Sequence, residues 1–219
     1  MQEQKPVEEE RTPARRLHRQ AGLLVLPAFV VLHLLSNASA LRGATTYERI
    51  AGTLQRSPVA VAADLLVLAA LVVHAGVGLR LLRRPLPEPA RRIGIAQRIA
   101  AGLGLVFIVV HLVELRLRAM FAGLDPRTYY TVLTADLSST SGGVPWLALL
   151  YLVGIGSVAL HLTLGLLRRA ETRRWAAIVL GVLVFAVGSA TVVAFATGTT
   201  LLPAPDDTSP CGSAASSSP

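Results

Sequence analysis

Five long runs of apolar residues dominate the chain, separated by shorter segments in which arginine, proline, serine and glycine collect. The runs cover 21–41, 59–82, 99–117, 144–167 and 175–202. A bilayer's hydrocarbon core takes about 20 residues of helix, and each run is long enough. Only helices satisfy their own backbone hydrogen bonds in lipid, so open strands are ruled out. The pattern predicts an all-α integral membrane fold of five transmembrane helices, at about 21–41, 59–82, 97–118, 144–168 and 175–202. One membrane domain then spans 15–202, between an arm at 1–14 and a Ser-, Pro- and Ala-rich tail at 203–219, both expected to be disordered. Pro27 predicts a kink in the first helix rather than its end.

Basic residues set the orientation. The segment before the first run, the 80–98 link and the 168–174 link hold fifteen of the twenty-one Lys and Arg residues. The 42–58 and 116–143 segments hold the other six. The positive-inside rule puts the N-terminus in the cytoplasm and the C-terminus outside. Arg outnumbers Lys twenty to one, the usage of a GC-rich bacterial genome, so the expected location is the bacterial cytoplasmic (inner) membrane, crossed several times.

Composition agrees. The 219 residues are 53% hydrophobic and only 16% charged, with net charge +8 and mean hydropathy +0.56. That leaves too little polar surface to cover a soluble globule. The basic charge is mostly the positive-inside signature, and with 5% aromatic residues no nucleic-acid partner is expected. Cys211 is the sole cysteine, which excludes a disulfide framework, a thiolate metal centre and covalent haem attachment. The basic 15–19 segment, the apolar 21–35 segment and Ala38-Ser39-Ala40 resemble a secretory signal peptide with its cleavage site. Pro27, His33 and Asn37 interrupt that pattern, and the first span is read as retained.

Candidate chemistry lies in the histidines. Of His18, His33, His74, His111 and His161, the last four fall one each inside spans one to four. Ionisable side chains in lipid are costly and face a bundle interior or a pathway. At 1.5 Å per residue, His33 and His111 lie roughly 20 Å from the cytoplasmic ends of their helices, and His74 and His161 roughly 10–12 Å from theirs. The histidines thus form an outer and an inner layer of two. Zinc would want three or four ligands at one depth, and copper would favour Cys or Met. Two layers of two suit two haem irons, each held between a pair of imidazoles, with no open position and so a bias to electron transfer. Gly78 and Gly165 each follow an inner histidine by four, on the same helix face, and leave room for a macrocycle.

Several stretches together carry a resemblance: Arg15-Arg16-Leu17-His18, His33-Leu34-Leu35-Ser36-Asn37, His74 to Leu79, Gln97 to Gly102, His111-Leu112, and Tyr151 to Gly154 leading to His161 and Gly165. Over about 15–197 the chain resembles the cytochrome b membrane-anchor subunit of succinate dehydrogenases and fumarate reductases, in the branch where one five-helix polypeptide carries two b haems. The resemblance implies His74 and His161 as axial ligands of the proximal haem, and His33 and His111 as those of the distal haem. It implies docking of flavoprotein and iron–sulfur subunits on the cytoplasmic side, and menaquinone or another quinone as the exchangeable substrate. The chain would be the membrane subunit of a respiratory-chain enzyme of the tricarboxylic acid cycle, with no catalytic residue or dehydrogenase site of its own.

His18 and Arg98, with Arg16 and Arg168, become candidate contacts for haem propionates. Glu48, Asp64 and Glu114 are quinone-site candidates, because quinone reduction consumes protons; for Glu114 the competing expectation is an ion pair with Arg118 four residues on. Some dihaem fumarate reductases place an acid two residues before the fourth-span ligand. Here that position is Ala159, which favours succinate oxidation. Two other readings remain open. One is a cytochrome b subunit of a hydrogenase or formate dehydrogenase. The other is a haem-free scaffold or transporter whose histidines hydrogen-bond or relay protons.

Overall fold

The computed structural model describes residues 13–55, 57–83, 91–123, 125, 128–168 and 174–203. Most of the expected arm and tail, Cys211 included, lies outside the described residues. Among the described residues, five helices are long and apolar enough to cross a membrane: Arg16–Arg42, Pro58–Leu82, Arg91–Leu115, Trp146–Leu167 and Arg174–Thr197. The protein is a multi-pass, all-helical membrane protein.

Helix α1 runs over 13–37 and is not regular. It is α-helical at Pro13–Gln20, widens to a π-helix at Ala21–Val25, and returns to α at Leu26–Asn37 before a 3-10 turn at Ala38–Arg42. Helix α2 is Ala44–Gln55, and α3 is Pro58–Leu82 with Pro58 at a first-turn position where its missing N–H costs nothing. Helix α4 is Arg91–His111, extended by a second π-helical stretch at Leu112–Leu117 and by Arg118–Ala122. Helices α5, α6 and α7 are Tyr129–Ser138, Trp146–Leu167 and Arg174–Thr197.

The span ends differ from the apolar runs for local reasons. Helix α4 starts at Arg91, because arginines continue a helix in the interface as readily as leucines do in lipid. Gly142 and Gly143 both have positive φ, 61° and 79°, and close a tight turn bridged by Ser141 and Val144, so α6 begins only at Trp146. Gly198, φ 64°, ends α7; the chain then turns back, and the Leu201 and Leu202 amides donate to the Leu41 carbonyl at 2.8 and 2.9 Å.

Close packing is uneven. Helices α4, α6 and α7 meet where small residues let backbones approach. A Cβ on Gly154 would collide with Phe107, one on Gly181 with Thr163, and one on Gly188 would come within 2.7 Å of Ile155. Helix α3 buries none of its apolar window and leans on α1. A large cavity opens between the tight trio and the α1–α3 pair.

One end of the bundle is closed by the Ala38–Arg42 turn and by α2 and α5, two helices that hydropathy alone leaves as loops. Tyr47, Tyr130 and Phe195 interlock there with centroid distances of 5.2–6.0 Å, over a fully buried Leu137. Ala40, in the segment that resembles a cleavage site, is completely buried in this core. Ser39 donates to the Ser36 carbonyl at 2.6 Å.

Burial, and secondarily the neighbouring Tyr129, push the Tyr47 phenol from 10.0 up to about 12. A raised phenol pKa means the fold resists the phenolate, so its contribution is complete below the ordinary value and is lost as pH rises through the folded one. The thermal midpoint of the detergent-solubilised protein should therefore fall between about pH 10 and 12, and Tyr47→Phe should flatten part of that fall. Superimposable profiles for the two proteins would contradict the burial assigned to Tyr47.

Candidate functional site

The cavity has a volume of about 1990 Å³ and is lined mainly by apolar side chains, at least twice the size of an ordinary small-molecule pocket. All five histidines line it. At one end it is bordered by Arg19, Arg98 and Arg168; at the other it reaches Leu133 and Leu137 of the cap. These are its basic and capped ends.

The histidine rings meet in two pairs. His74 and His161 have centroids 6.0 Å apart and planes at 85°. His33 and His111 have centroids 5.7 Å apart and planes at 88°. Among the described residues no group of three or more His, Cys, Asp or Glu is arranged to hold a metal ion. A third ring, that of His18, adjoins the basic-end pair through His74.

Backbone carbonyls orient the basic-end pair. His74 Nδ1 lies 3.1 Å from the His18 carbonyl oxygen, and His161 Nδ1 lies 3.3 Å from that of Gln97. A carbonyl only accepts, so in both rings Nδ1 carries the proton and Nε2 the lone pair. That is the tautomer a metal-ligating imidazole adopts when its other nitrogen is held by a carbonyl. At the capped end the partners are side chains. His111 Nδ1 is 3.2 Å from Tyr151 Oη, while Asn37 donates to the His33 carbonyl at 2.8 Å and approaches the His33 ring at 3.4 Å.

These features fit a haem group in each layer. The ring centroids of both pairs are far enough apart, 5.7 and 6.0 Å, to admit a metal ion between the two imidazoles. The apolar walls suit a porphyrin face, and the arginines at the basic end suit its carboxylates. Gly78 and Gly165 both line the cavity. A Cβ on Gly78 would lie 3.3 Å from His18, and one on Gly165 3.6 Å from Gln97.

The other candidate residues separate. His18 is parallel-stacked on His74, centroids 3.9 Å apart, and its Nδ1 donates to the His74 carbonyl at 2.8 Å, so it acts on the ring of its neighbour. Arg98 and Arg168 line the cavity and Arg16 does not. Asp64 lines it from α3, whereas Glu48 and Glu114 stand outside the lining. Glu114 pairs with Arg118 at 3.3 Å, and Arg118 pairs more closely with Asp136 of α5 at 2.7 Å. The hydrogen bond that Arg118 donates to Asp136, then that carboxylate's charge, hold its guanidinium above the ordinary pKa.

Three contributors make histidine contacts that the sequence does not reveal. A Cβ on Gly22 would run into the His74 ring, and Gly22 sits within the π-helical turn of α1. Tyr151 and Asn37 supply the capped-end hydrogen bonds. Both stand in stretches quoted for the resemblance, but only the rotation of each helix brings them to the histidines. No family model, curated protein or solved structure matches the chain.

Gly22 and Gly76 make a direct contrast, since a Cβ on Gly76 meets nothing within 4 Å. Gly22→Ala should destabilise the solubilised protein by about 1–3 kcal/mol through overpacking. Gly76→Ala should be neutral or stabilising by up to about 1 kcal/mol. Equal thermal midpoints for the two variants would contradict the placement of His74 against Gly22.

Proposed function

We propose that this chain is a dihaem cytochrome b that carries electrons through the membrane between a dehydrogenase on its cytoplasmic face and a quinone. The observation that carries the reading is the pair of imidazole pairs. Each is about 6 Å apart, and the basic-end pair has both Nδ1 protons committed to backbone carbonyls. A b haem held between two imidazoles passes single electrons without an open coordination site.

His74 and His161 would hold the haem at the basic end, and His33 and His111 the haem at the capped end. The positive-inside asymmetry makes the basic end cytoplasmic. Arg98 and Arg168 would hold its propionates there by paired N–H donors, and His18 stacks on the ring of His74. At the capped end Asp64 is the acid on the cavity wall and the best-placed proton donor for a quinone. The apolar walls exclude water from the path between the two pairs.

The resemblance to succinate dehydrogenase and fumarate reductase anchors specifies the partners. Flavoprotein and iron–sulfur subunits dock on the cytoplasmic side, succinate is oxidised there, and menaquinone or a related quinone is reduced in the membrane. That assignment rests on the quoted sequence stretches alone, as fold does not determine substrate.

The purified full chain should contain two b haems per polypeptide by pyridine haemochrome, and His74→Ala or His161→Ala should lose one and keep the other. No haem in protein made with ample haem supply would overturn the reading; two haems in both variants would overturn the ligand assignment. In the assembled complex, Asp64→Asn should slow quinone turnover several-fold while leaving both haem spectra unchanged. Unchanged turnover would remove Asp64 from the quinone site.

A further inference from the structure

The two histidine pairs are held by chemically unlike partners. At the basic end both Nδ1 atoms face backbone carbonyls, which no side-chain substitution removes. His111 instead faces a phenol: Tyr151 Oη is 3.2 Å from its Nδ1. Tyr151 belongs to α6, the helix that also carries His161 one layer away, and it is 6% exposed.

Ring packing sets the position of that phenol. Phe107 meets the Tyr151 ring edge-on, centroids 5.2 Å apart at 79°. Phe107 also lies one helical turn before His111 on α4, with its centroid 5.6 Å from the imidazole. The space for Phe107 is provided by Gly154, where a Cβ would collide with it. Phe107, Tyr151 and His111 thus form one packed unit at the α4–α6 crossing, and the hydroxyl has little freedom to leave the imidazole.

We propose that Tyr151 is a positioning residue for the His111 ligand and sets the potential of the capped-end haem. This rests on the two-haem reading above. With His111 Nε2 committed to iron, Nδ1 carries the ring proton and the phenol oxygen accepts it. An acceptor at Nδ1 makes the imidazole more basic and favours the ferric state, lowering the midpoint. Removing or weakening the acceptor raises it. The effect is confined to one layer, because His74 and His161 use carbonyls of other residues.

The test is a redox titration of the full chain purified in detergent. Wild type is compared with Tyr151→Phe, with fluorotyrosine incorporated at 151, and with Tyr130→Phe, a phenol of the cap that does not line the cavity. His111→Ala identifies the capped-end haem by its absence. Tyr151→Phe should raise the midpoint of that haem and leave the other where it was. Fluorotyrosine, nearly the same size but a weaker acceptor, should shift the same haem in the same direction by less, and it carries the test if Tyr151→Phe fails to fold. Tyr130→Phe should shift neither. Unmoved midpoints, an equal shift of both haems, or a like shift in Tyr130→Phe would overturn the role of Tyr151 while leaving two haems in place. Wild-type protein without haem would overturn the two-haem reading itself.

Discussion

An imidazole inside the hydrocarbon of a bilayer has two nitrogens to satisfy and no water to do it. Four such rings, one on each of four successive membrane-spanning helices, are the strongest demand this sequence makes on its fold. At the basic end the demand is met with backbone carbonyls and at the capped end with side chains of Tyr151 and Asn37. In the basic-end pair the carbonyls take both Nδ1 protons, which leaves the Nε2 lone pairs directed away from those bonds. The cavity, the irregular course of α1 and α4, and the glycines beside His74 and Phe107 all serve that arrangement.

The π-helical turns illustrate the cost. A π-turn inserts a residue and weakens the regular ladder, and such turns concentrate at functional sites. One, at Ala21–Val25, puts Gly22 against the His74 ring; the other, at Leu112–Leu117, starts directly after His111. A uniform α-helix would rotate the following side chains by a different angle. The tight trio of α4, α6 and α7 gives the rigidity that α3, bound mainly through α1, lacks.

Much of the fold was legible in the sequence because length in lipid is a hard constraint. Five spans, and the depths at which the histidines sit, follow from counting residues. The closeness of His74 to His161 and of His33 to His111 follows from those depths and antiparallel order. Their role toward a cofactor does not, and stands as a proposal. The cap helices α2 and α5 were missed because they are short and of mixed polarity, and packing on Tyr47, Tyr130 and Phe195 rather than hydropathy makes them helical. The contacts of His18, Gly22 and Tyr151 were missed for a different reason. Helices apolar all round carry no periodic stripe to say which face looks inward, so rotation about each axis is set by packing alone.

The measurement closest to the central claim is an electron paramagnetic resonance spectrum of the oxidised, detergent-purified chain. Imidazole planes at 85° and 88° predict two highly anisotropic low-spin ferric signals, one per pair. A high-spin signal, a single low-spin species or the rhombic pattern of parallel imidazoles would contradict the paired geometry. Silence from protein supplied with haem would contradict the cofactor altogether.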